Sequence, residues 1–244
     1  MAMTSLDLVR LLPNTLMTLF QAIASHDEAT VARLLDAAPS LASQVTDLGA
    51  TRQVSGAYFL DAIKHYVYAG DTALHIAAAA YERDIAKRLL ALGANVGARN
   101  RRGAEPLHYA VDGGPQLQTW NPKAQAAVVE CLIAAGADPN SPDKSGVCPL
   151  HRAVRTRCAS AVRALLAHGA AARGRNGSGS TPLHLAVQNT GRGGSGSAAA
   201  REQQKEIIVL LLKHGARPTD RDAAGRTVRQ SVASDWLIDV IEAA

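Results

Sequence analysis

Apolar and polar positions alternate along this chain in a pattern that returns at intervals of about 33 residues. Each interval contains a Leu-His pair followed closely by alanine, then a Leu-Leu or Leu-Ile pair, and finally Gly-Ala. The first segment lies at 72–77, 105–110, 148–153 and 181–186, and its leucines are separated by 33, 43 and 33 residues. Self-similarity at this period predicts a solenoid built from one repeated pair of short helices.

The residue types within this hexapeptide segment explain why it would open a helix. Three copies carry proline, which fits the first helical turn because its missing N–H has no intrahelical partner there. Thr72 and Thr181 precede that turn and can cap it. Leucine and alanine are expected to pack between adjacent repeats. We therefore predict a first helix at each segment and a second helix ending before each Gly-Ala.

The chain is predicted to be a single elongated domain over 1–244, because a solenoid adds core with each repeat. Residues 4–12 predict a short capping helix that ends before Pro13. The domain divides into four parts: a cap with a degenerate repeat at 1–50, an aromatic insertion at 51–70, four repeats at 71–222 and a C-terminal cap at 223–244.

Three insertions interrupt the regular spacing. The insertion at 51–70 holds four of the nine aromatic residues, and the strand character of 66–68 predicts a hairpin-like finger. It would serve either as an apolar lid over the first repeat or as an aromatic contact patch. Trp120 lies in the second insertion, 113–124, where it either folds back onto the solenoid or faces a partner. The third, 191–197, is rich in glycine and serine and predicts a flexible loop.

The hexapeptide and the Leu-Leu-x-x-Gly-Ala signature together resemble the ankyrin repeat, over about residues 15–240. The resemblance implies an all-α ankyrin-repeat solenoid of about five repeats plus a degenerate C-terminal cap, with β-turn fingers. It also implies that the motif histidines bridge backbone groups of neighbouring loops and take no part in catalysis. In proteins that this chain resembles, partners contact the fingers and the inner helices on the concave side.

The repeat register places a largely cationic set of side chains on this expected concave face. Arginine and tyrosine are enriched in interface hot spots, which favours a non-catalytic protein–protein interaction module. The positive charge predicts that the partner protein contributes an acidic segment. The predicted partner-binding residues are Tyr66, Tyr68, Asp71, Arg99, Arg101, Arg102, Asp112, Trp120, Lys144, Arg155, Arg175 and Arg226.

The net charge of +5 is unevenly distributed. From Lys144 to Arg201 there are nine basic and no acidic residues, whereas the rest of the chain holds 17 basic and 21 acidic residues. Such a basic block makes nucleic acid or another polyanion an alternative partner. Few aromatic residues lie in the block, which speaks against single-strand stacking. A solvated, arginine-rich surface explains the block equally well.

The residue patterns predict no catalytic, cofactor or metal site. The motif histidines recur once per repeat, so stacking separates them by about 10 Å, too far apart to share one metal ion. Gly191, Gly193 and Gly196 match the dinucleotide fingerprint, but no strand or βαβ unit precedes them. A flexible loop is the preferred interpretation. Binding of a phosphorylated small ligand at the Gly191–Gly196 loop is the alternative.

Cysteine usage and the N-terminal sequence bear on the compartment. Three cysteines, an odd number, indicate no disulfide framework and a reducing environment. The apolar run near the N-terminus is interrupted by polar residues, so neither a signal peptide nor a membrane span is predicted. We expect a monomeric, cytoplasmic protein. Its alanine- and arginine-rich composition is what a GC-rich bacterial genome would encode.

Overall fold

Eleven α-helices form the framework of the described chain, which comprises residues 5–115, 117–118, 120–188 and 196–243 of a computed structural model, with side chains from residue 15 onward. The α-helices are α1 (Ser5–Ala24), α2 (Glu28–Ala37), α3 (Ala73–Ala79), α4 (Arg83–Ala91), α5 (Pro106–Ala110), α6 (Pro122–Ala134), α7 (Pro149–Arg155), α8 (Ala159–Ala167), α9 (Pro182–Ala186), α10 (Ala198–Lys213) and α11 (Asp235–Glu242). Short 3₁₀ helices span Pro39–Ala42, Gly56–Tyr58, Asp61–Ile63 and Arg229–Ser231.

Helices that follow one another along the chain pack together as pairs, and the pairs stack so that the helices form two layers. Each repeat pairs a first helix with a second one: α1 with α2, α3 with α4, α5 with α6, α7 with α8 and α9 with α10. The first helices pack in series from α1 to α9, and the second helices pack in series from α4 to α10. Helix α11 covers α10 at the C-terminal end. The all-α solenoid predicted from the repeat period is confirmed.

The hydrophobic core repeats with the sequence. One leucine of each hexapeptide and one leucine of each second helix are buried at every level: Leu74, Leu107, Leu150 and Leu183, then Leu89, Leu132, Leu165 and Leu211. The hexapeptide alanines at 77, 110, 153 and 186 are also fully buried. Small side chains at this position let neighbouring first helices approach closely, so one core runs the length of the solenoid.

The N-terminal helix is longer than predicted. We expected a capping helix at 4–12 that ends before Pro13, but α1 continues through this position to Ala24. The prediction of a break was wrong because the fixed φ of proline is compatible with a helix, and burial of the apolar residues beyond Pro13 outweighs the lost N–H donor and the crowding of the carbonyl four residues earlier. The buried stripe of Leu16, Leu19 and Ile23 then anchors the second half of α1 on the core.

The insertion at 51–70 forms a small hairpin, as predicted, though with shorter strands. Strand β1 (Phe59–Leu60) pairs antiparallel with β2 (His65–Tyr66), and Phe59 lies opposite Tyr66. Leu60 and Val67 are buried against the solenoid, which fixes the base of the hairpin. The insertion therefore contributes to the core while its tyrosines remain partly accessible.

Backbone hydrogen bonds join the loops between repeats into an ordered row. We call it the finger row, and its segments are 46–50, 67–71, 99–104, 143–147, 176–180 and 220–226. The amide-to-carbonyl bonds that connect them are Ala50 to Val67 (2.8 Å), Arg101 to Ala69 (2.7 Å), Lys144 to Arg102 (3.0 Å), Gly177 to Ser145 (3.0 Å) and Ala223 to Ser178 (3.3 Å). Exposed side chains of successive fingers are thereby held next to one another.

Hydropathy adds one observation. Over the described ranges, no helix combines the length and the apolar character that crossing a membrane requires.

Candidate functional site

The motif histidines are structural bridges, as the family resemblance implied. In each repeat the N-cap backbone N–H donates to the histidine Nδ1, so Nε2 carries the proton. Nε2–H then donates to a carbonyl oxygen of the next finger: His75 to Ala104 (3.1 Å), His108 to Val147 (3.0 Å), His151 to Ser180 (3.3 Å) and His184 to Arg226 (3.2 Å). Each ring thus ties one repeat to its successor.

Burial keeps the imidazoles of His75, His108 and His151 neutral. It lowers the pKa of His108 to about 4 and also lowers the pKa values of His75 and His151. A neutral ring is what the bridging geometry requires, because Nδ1 must accept a hydrogen bond and therefore carries no proton. Within the part of the chain that the structure describes, no group of three His, Cys, Asp or Glu side chains is placed to hold a metal ion.

Two adjoining clefts form a groove between the β1–β2 hairpin and the first helices α5 and α7. One has a volume of about 300 Å³ and is lined by Lys64, His65, Tyr66, Tyr68, Asn100, Arg102, Ala104, Tyr109, Asp112, Arg152 and Thr156. The other has a volume of about 390 Å³ and is lined by Arg102, Asp112, Asp143, Ser145, Val147, Arg152, Arg155 and Thr156. Because they share four residues, we treat them as one feature, the concave groove.

The floor of the concave groove is a chain of charged side chains. Arg152 donates to Asp112 Oδ2 (3.1 Å) and to Asp143 (3.2 Å), and His65 Nε2 lies 3.3 Å from the same Asp112 oxygen. Burial alone would raise the pKa of Asp112, but the Arg152 and His65 partners outweigh it and lower that pKa. Arg152 is thus shared between two carboxylates, and these contacts hold the hairpin against α7.

The wall of the groove combines aromatic rings with guanidinium groups. The Tyr68 ring lies 5.3 Å from the Arg101 guanidinium and 5.0 Å from that of Arg102, and the Arg102 Nη1 donates to the Tyr68 hydroxyl (3.0 Å). Tyr66 stands 6.5 Å from Tyr68, with Phe59 4.7 Å behind it. Such cation–π and ring contacts restrict these side chains before any partner arrives.

The structure brings five of the predicted residues together at this groove: Tyr66, Tyr68, Arg102, Asp112 and Arg155. Arg101 borders them, but its guanidinium donates to the carbonyl oxygen of Ala50 and so also fixes the loop before the hairpin. Lys144 and Arg175 are exposed on the fingers that follow.

Two predicted arginines are held by carboxylates of their own fingers. Arg99 donates to Glu105 (3.0 Å) and to Ser141 (2.6 Å), and Arg226 donates to Asp222 (2.9 Å). Both carboxylates are almost fully buried, and the arginines provide the opposite charge that a buried carboxylate needs. Their charge is less available to a partner than that of an arginine without a carboxylate neighbour.

Asp71 is a correction to the predicted site. Its side chain is fully buried, where its carboxyl group accepts from Tyr109 Oη (2.9 Å), Asn100 Nδ2 (2.8 Å) and the Tyr68 amide (2.6 Å). A partner cannot contact it in this fold. The register correctly located Asp71 in a finger, but register does not specify which way a finger side chain points.

Of the two positions considered for Trp120, the structure shows the one in which it folds back onto the solenoid. Its ring packs against the core, and its Nε1–H donates to the side-chain oxygen of Gln125 (2.7 Å). Gln125 is fully buried and also donates to the Asp112 carbonyl (3.3 Å), which closes the end of α5. Trp120 is half-buried and away from the residues that line the groove.

Arg152 is central to the groove floor but is not among the residues predicted to bind a partner. It occupies the variable position of the hexapeptide, where the other copies carry Ile76, Tyr109 and Leu185. A charged residue at a position that is otherwise apolar or aromatic was a usable signal. The pairing itself was not readable, because Asp112 lies 40 residues away along the chain.

The basic block from Lys144 to Arg201 is compensated only in part in the folded protein. Arg152 pairs with Asp112 and Asp143, Arg163 with Glu206, and Arg173 with Asp220, while Arg157 is buried against backbone carbonyls. Among the described residues of the block, four cations have exposed side chains without such an ion pair: Lys144, Arg155, Arg175 and Arg201. Except for Gly196, the proposed phosphate loop Gly191–Gly196 lies outside the described residues.

Comparison with known families agrees with this architecture. A family model described as ankyrin repeats (3 copies) matches residues 19–118 and again residues 121–222. The matched ranges cover the degenerate first repeat, the hairpin insertion and the complete repeats. A search of curated proteins found no significant match.

Proposed function

Because this chain belongs to the ankyrin-repeat family, whose members are generally protein–protein interaction modules, we propose that it binds an acidic segment of another protein through the concave groove and the neighbouring fingers. The family is typically non-catalytic, and the groove has the chemistry of a recognition surface: aromatic rings, guanidinium groups and a rigid, hydrogen-bonded floor.

Exposed cations that form no internal ion pair carry this proposal. Arg102 and Arg155 both line the larger of the two clefts that form the groove, and neither forms an ion pair with a described acidic side chain. Lys144 continues this charge on the next finger. Carboxylates of a partner would supply the charge that the fold leaves uncompensated, and bidentate contacts to arginine would add geometric specificity.

The test is a double charge reversal at the groove, Arg102→Glu with Arg155→Glu. Its matched control is Arg33→Glu with Arg201→Glu, which changes the net charge equally on exposed positions of the second helices α2 and α10. Wild type and both variants are used as bait in untreated and in nuclease-treated lysate of the source cell, each at low and at moderate salt. We expect a discrete protein to bind wild type and control but not the groove variant, with similar melting curves for all three.

Two outcomes would contradict the proposal. Equal capture by the groove variant and the control would show that the groove is not the binding surface. Retention that disappears on nuclease treatment would favour the polyanion alternative, whose affinity must fall steeply with salt.

A further inference from the structure

Exposed apolar side chains are concentrated at one end of the finger row. Five large apolar side chains are exposed in the described part of the chain, and four of them lie between residues 45 and 66. They are Val45 (53% exposed), Leu48 (62%), Val54 (51%) and Tyr66 (38%). The fifth, Leu92 (36%), lies at the end of α4 in the second layer of helices. Scattered single residues would need no explanation, but a cluster indicates an interaction surface.

This cluster is joined directly to the aromatic wall. The backbone at 46–50 pairs with 67–71 through Thr46 to Asp71 (2.9 Å) and Ala50 to Val67 (2.8 Å). Gly49 packs so closely that a Cβ there would lie 2.4 Å from the Ala69 nitrogen. Arg101 bridges the same elements, because it donates to the Ala50 carbonyl while lying over Tyr68.

The finger row consequently changes character along its length. It begins with the apolar segment at 45–54, continues with the aromatic wall of Tyr66 and Tyr68, and then becomes cationic at Arg102 and Lys144. Each step is fixed by backbone hydrogen bonds between neighbouring segments, so the order is a property of the fold and does not depend on side-chain rotamers.

We propose that the partner contributes one extended segment in which an apolar run adjoins an acidic run, with the apolar run bound on 45–54 and the acidic run along Arg102, Lys144 and Arg155. This inference rests on the proposed function and adds a second, apolar half to the recognised segment. The two halves have separate roles: burial of apolar area supplies affinity, whereas the exposed cations set the direction of the segment.

A protein segment fits these observations better than a lipid bilayer does. Apolar and basic residues side by side also occur at membrane surfaces. Here, however, Arg102 and Arg155 line a concave cleft of about 390 Å³, which an extended peptide can enter and a flat bilayer cannot. Moreover, Arg52 is the one basic residue between Val45 and Val54, whereas Arg102 and Lys144 lie further along the row and Arg155 lies on α7.

The experiment uses a phage-displayed library of random peptides selected on the immobilised full chain. We expect the enriched peptides to contain an aliphatic or aromatic run next to an Asp/Glu run, always in the same order. Three variants then locate the binding of one such synthetic peptide: Val45→Ser with Leu48→Ser and Val54→Ser; Arg102→Ala with Arg155→Ala; and Leu92→Ser as the exposed apolar control.

The first two variants should each raise the Kd of the peptide by about tenfold or more. The Kd for the Leu92→Ser variant should stay within about a factor of two of the wild-type value. If the triple variant has a lower melting temperature than wild type, the single substitution Leu48→Ser, at the most exposed of these positions, replaces it in the binding measurement. If the affinity of an acidic peptide falls in the arginine variant but is unchanged in the apolar variant, this inference is overturned and the proposed function is left intact.

Two further outcomes would contradict the inference. Enriched peptides without acidic residues would contradict both the inference and the proposed function. Binding to anionic phosphatidylserine vesicles that depends on Val45, Leu48 and Val54, with no peptide selected, would replace the protein segment by a membrane surface.

Discussion

At the residue scale, each motif histidine satisfies several backbone groups at once. It closes a capping box within its own repeat and donates to the next finger, so a single ring serves both helix initiation and stacking. This dual role requires the neutral tautomer with the proton on Nε2. Protonation of Nδ1 would place two donors against each other at the N-cap.

Acid should therefore destabilise the protein well before its carboxylates titrate. His108 has a folded pKa of about 4 against an ordinary value of 6.5, so the unfolded chain binds a proton first as the pH falls. Its stabilising contribution is complete above pH 6.5, shrinks below it, and is lost at about pH 4. That loss amounts to about 3 kcal/mol for this residue. Urea unfolding at a series of pH values measures it.

His108→Gln is the matching variant, because glutamine retains hydrogen-bonding capacity without titrating. We expect a lower free energy of unfolding at pH 7 and a flatter dependence on pH between 6.5 and 4. An unchanged slope in this variant would show that another group takes up the proton.

A second prediction concerns the buried amide of Gln125. Its oxygen accepts from Trp120 Nε1 (2.7 Å) and from the Cys158 thiol (2.6 Å), while its nitrogen donates to the Asp112 carbonyl. Gln125→Leu keeps the volume but leaves these groups unsatisfied, which should cost about 2–3 kcal/mol. Urea unfolding followed by tryptophan fluorescence checks this, and the emission of Trp120 should shift to longer wavelength. Gln188→Leu, at an exposed position, should change neither quantity.

At the element scale, the finger turns depend on glycine for two separable reasons. Gly146 and Gly225 occupy equivalent turns with φ values of 71° and 78°, a conformation that other residues adopt only with strain. A Cβ on Gly146 would also lie 2.6 Å from the Gly177 nitrogen, whereas nothing lies within 4 Å of a Cβ on Gly225. The terminal finger thus provides an internal control for the inner one.

Alanine at these two positions should separate backbone strain from finger packing. Gly225→Ala should cost about 1 kcal/mol for the left-handed conformation alone. Gly146→Ala should cost about 2–3 kcal/mol, because the bond from the Gly177 amide to Ser145 must also break. Thermal unfolding measures both values, and faster hydrogen exchange at Gly177 should accompany only the inner substitution. Equal costs would show that the contact between fingers contributes nothing.

At the scale of the whole molecule, charge compensation across repeats decides how the basic block behaves. Arg163 and Arg173 are paired with Glu206 and Asp220 of the following repeat, and Arg157 is buried. We therefore expect no saturable binding of duplex DNA at physiological salt, measured by fluorescence anisotropy. Glu206→Gln frees Arg163 and should raise whatever weak binding is seen at low salt. Tight binding at physiological salt would contradict this account of the surface.

Much of the fold could be predicted from the sequence because every repeat supplies its own helix signals. The hexapeptide and the Gly-Ala pair located four helix pairs, and the surplus residues located the insertions. The end of the first helix was mispredicted at Pro13, since a lone proline is a weak break when an apolar stripe such as Leu16 to Ile23 continues beyond it.

The site was less predictable for a different reason. Register assigns a residue to a finger or an inner helix, and that sufficed for Tyr68, Arg102 and Arg155. It contains no information on which side chains pair across repeats. Asp71 turned inward and Arg152 joined the groove floor through contacts with residues far away in the chain.

The charged floor of the groove has a mechanical consequence. Most contacts in the solenoid join neighbouring repeats, so tension applied to its two ends should release the repeats one after another, each freeing roughly 110 Å of extended chain. The links from His65 through Asp112 and Arg152 to Asp143 fasten the hairpin, the third repeat and the fourth to one another. Under tension, the hairpin and these two repeats should unfold as one cooperative unit, after the repeats on either side have unfolded.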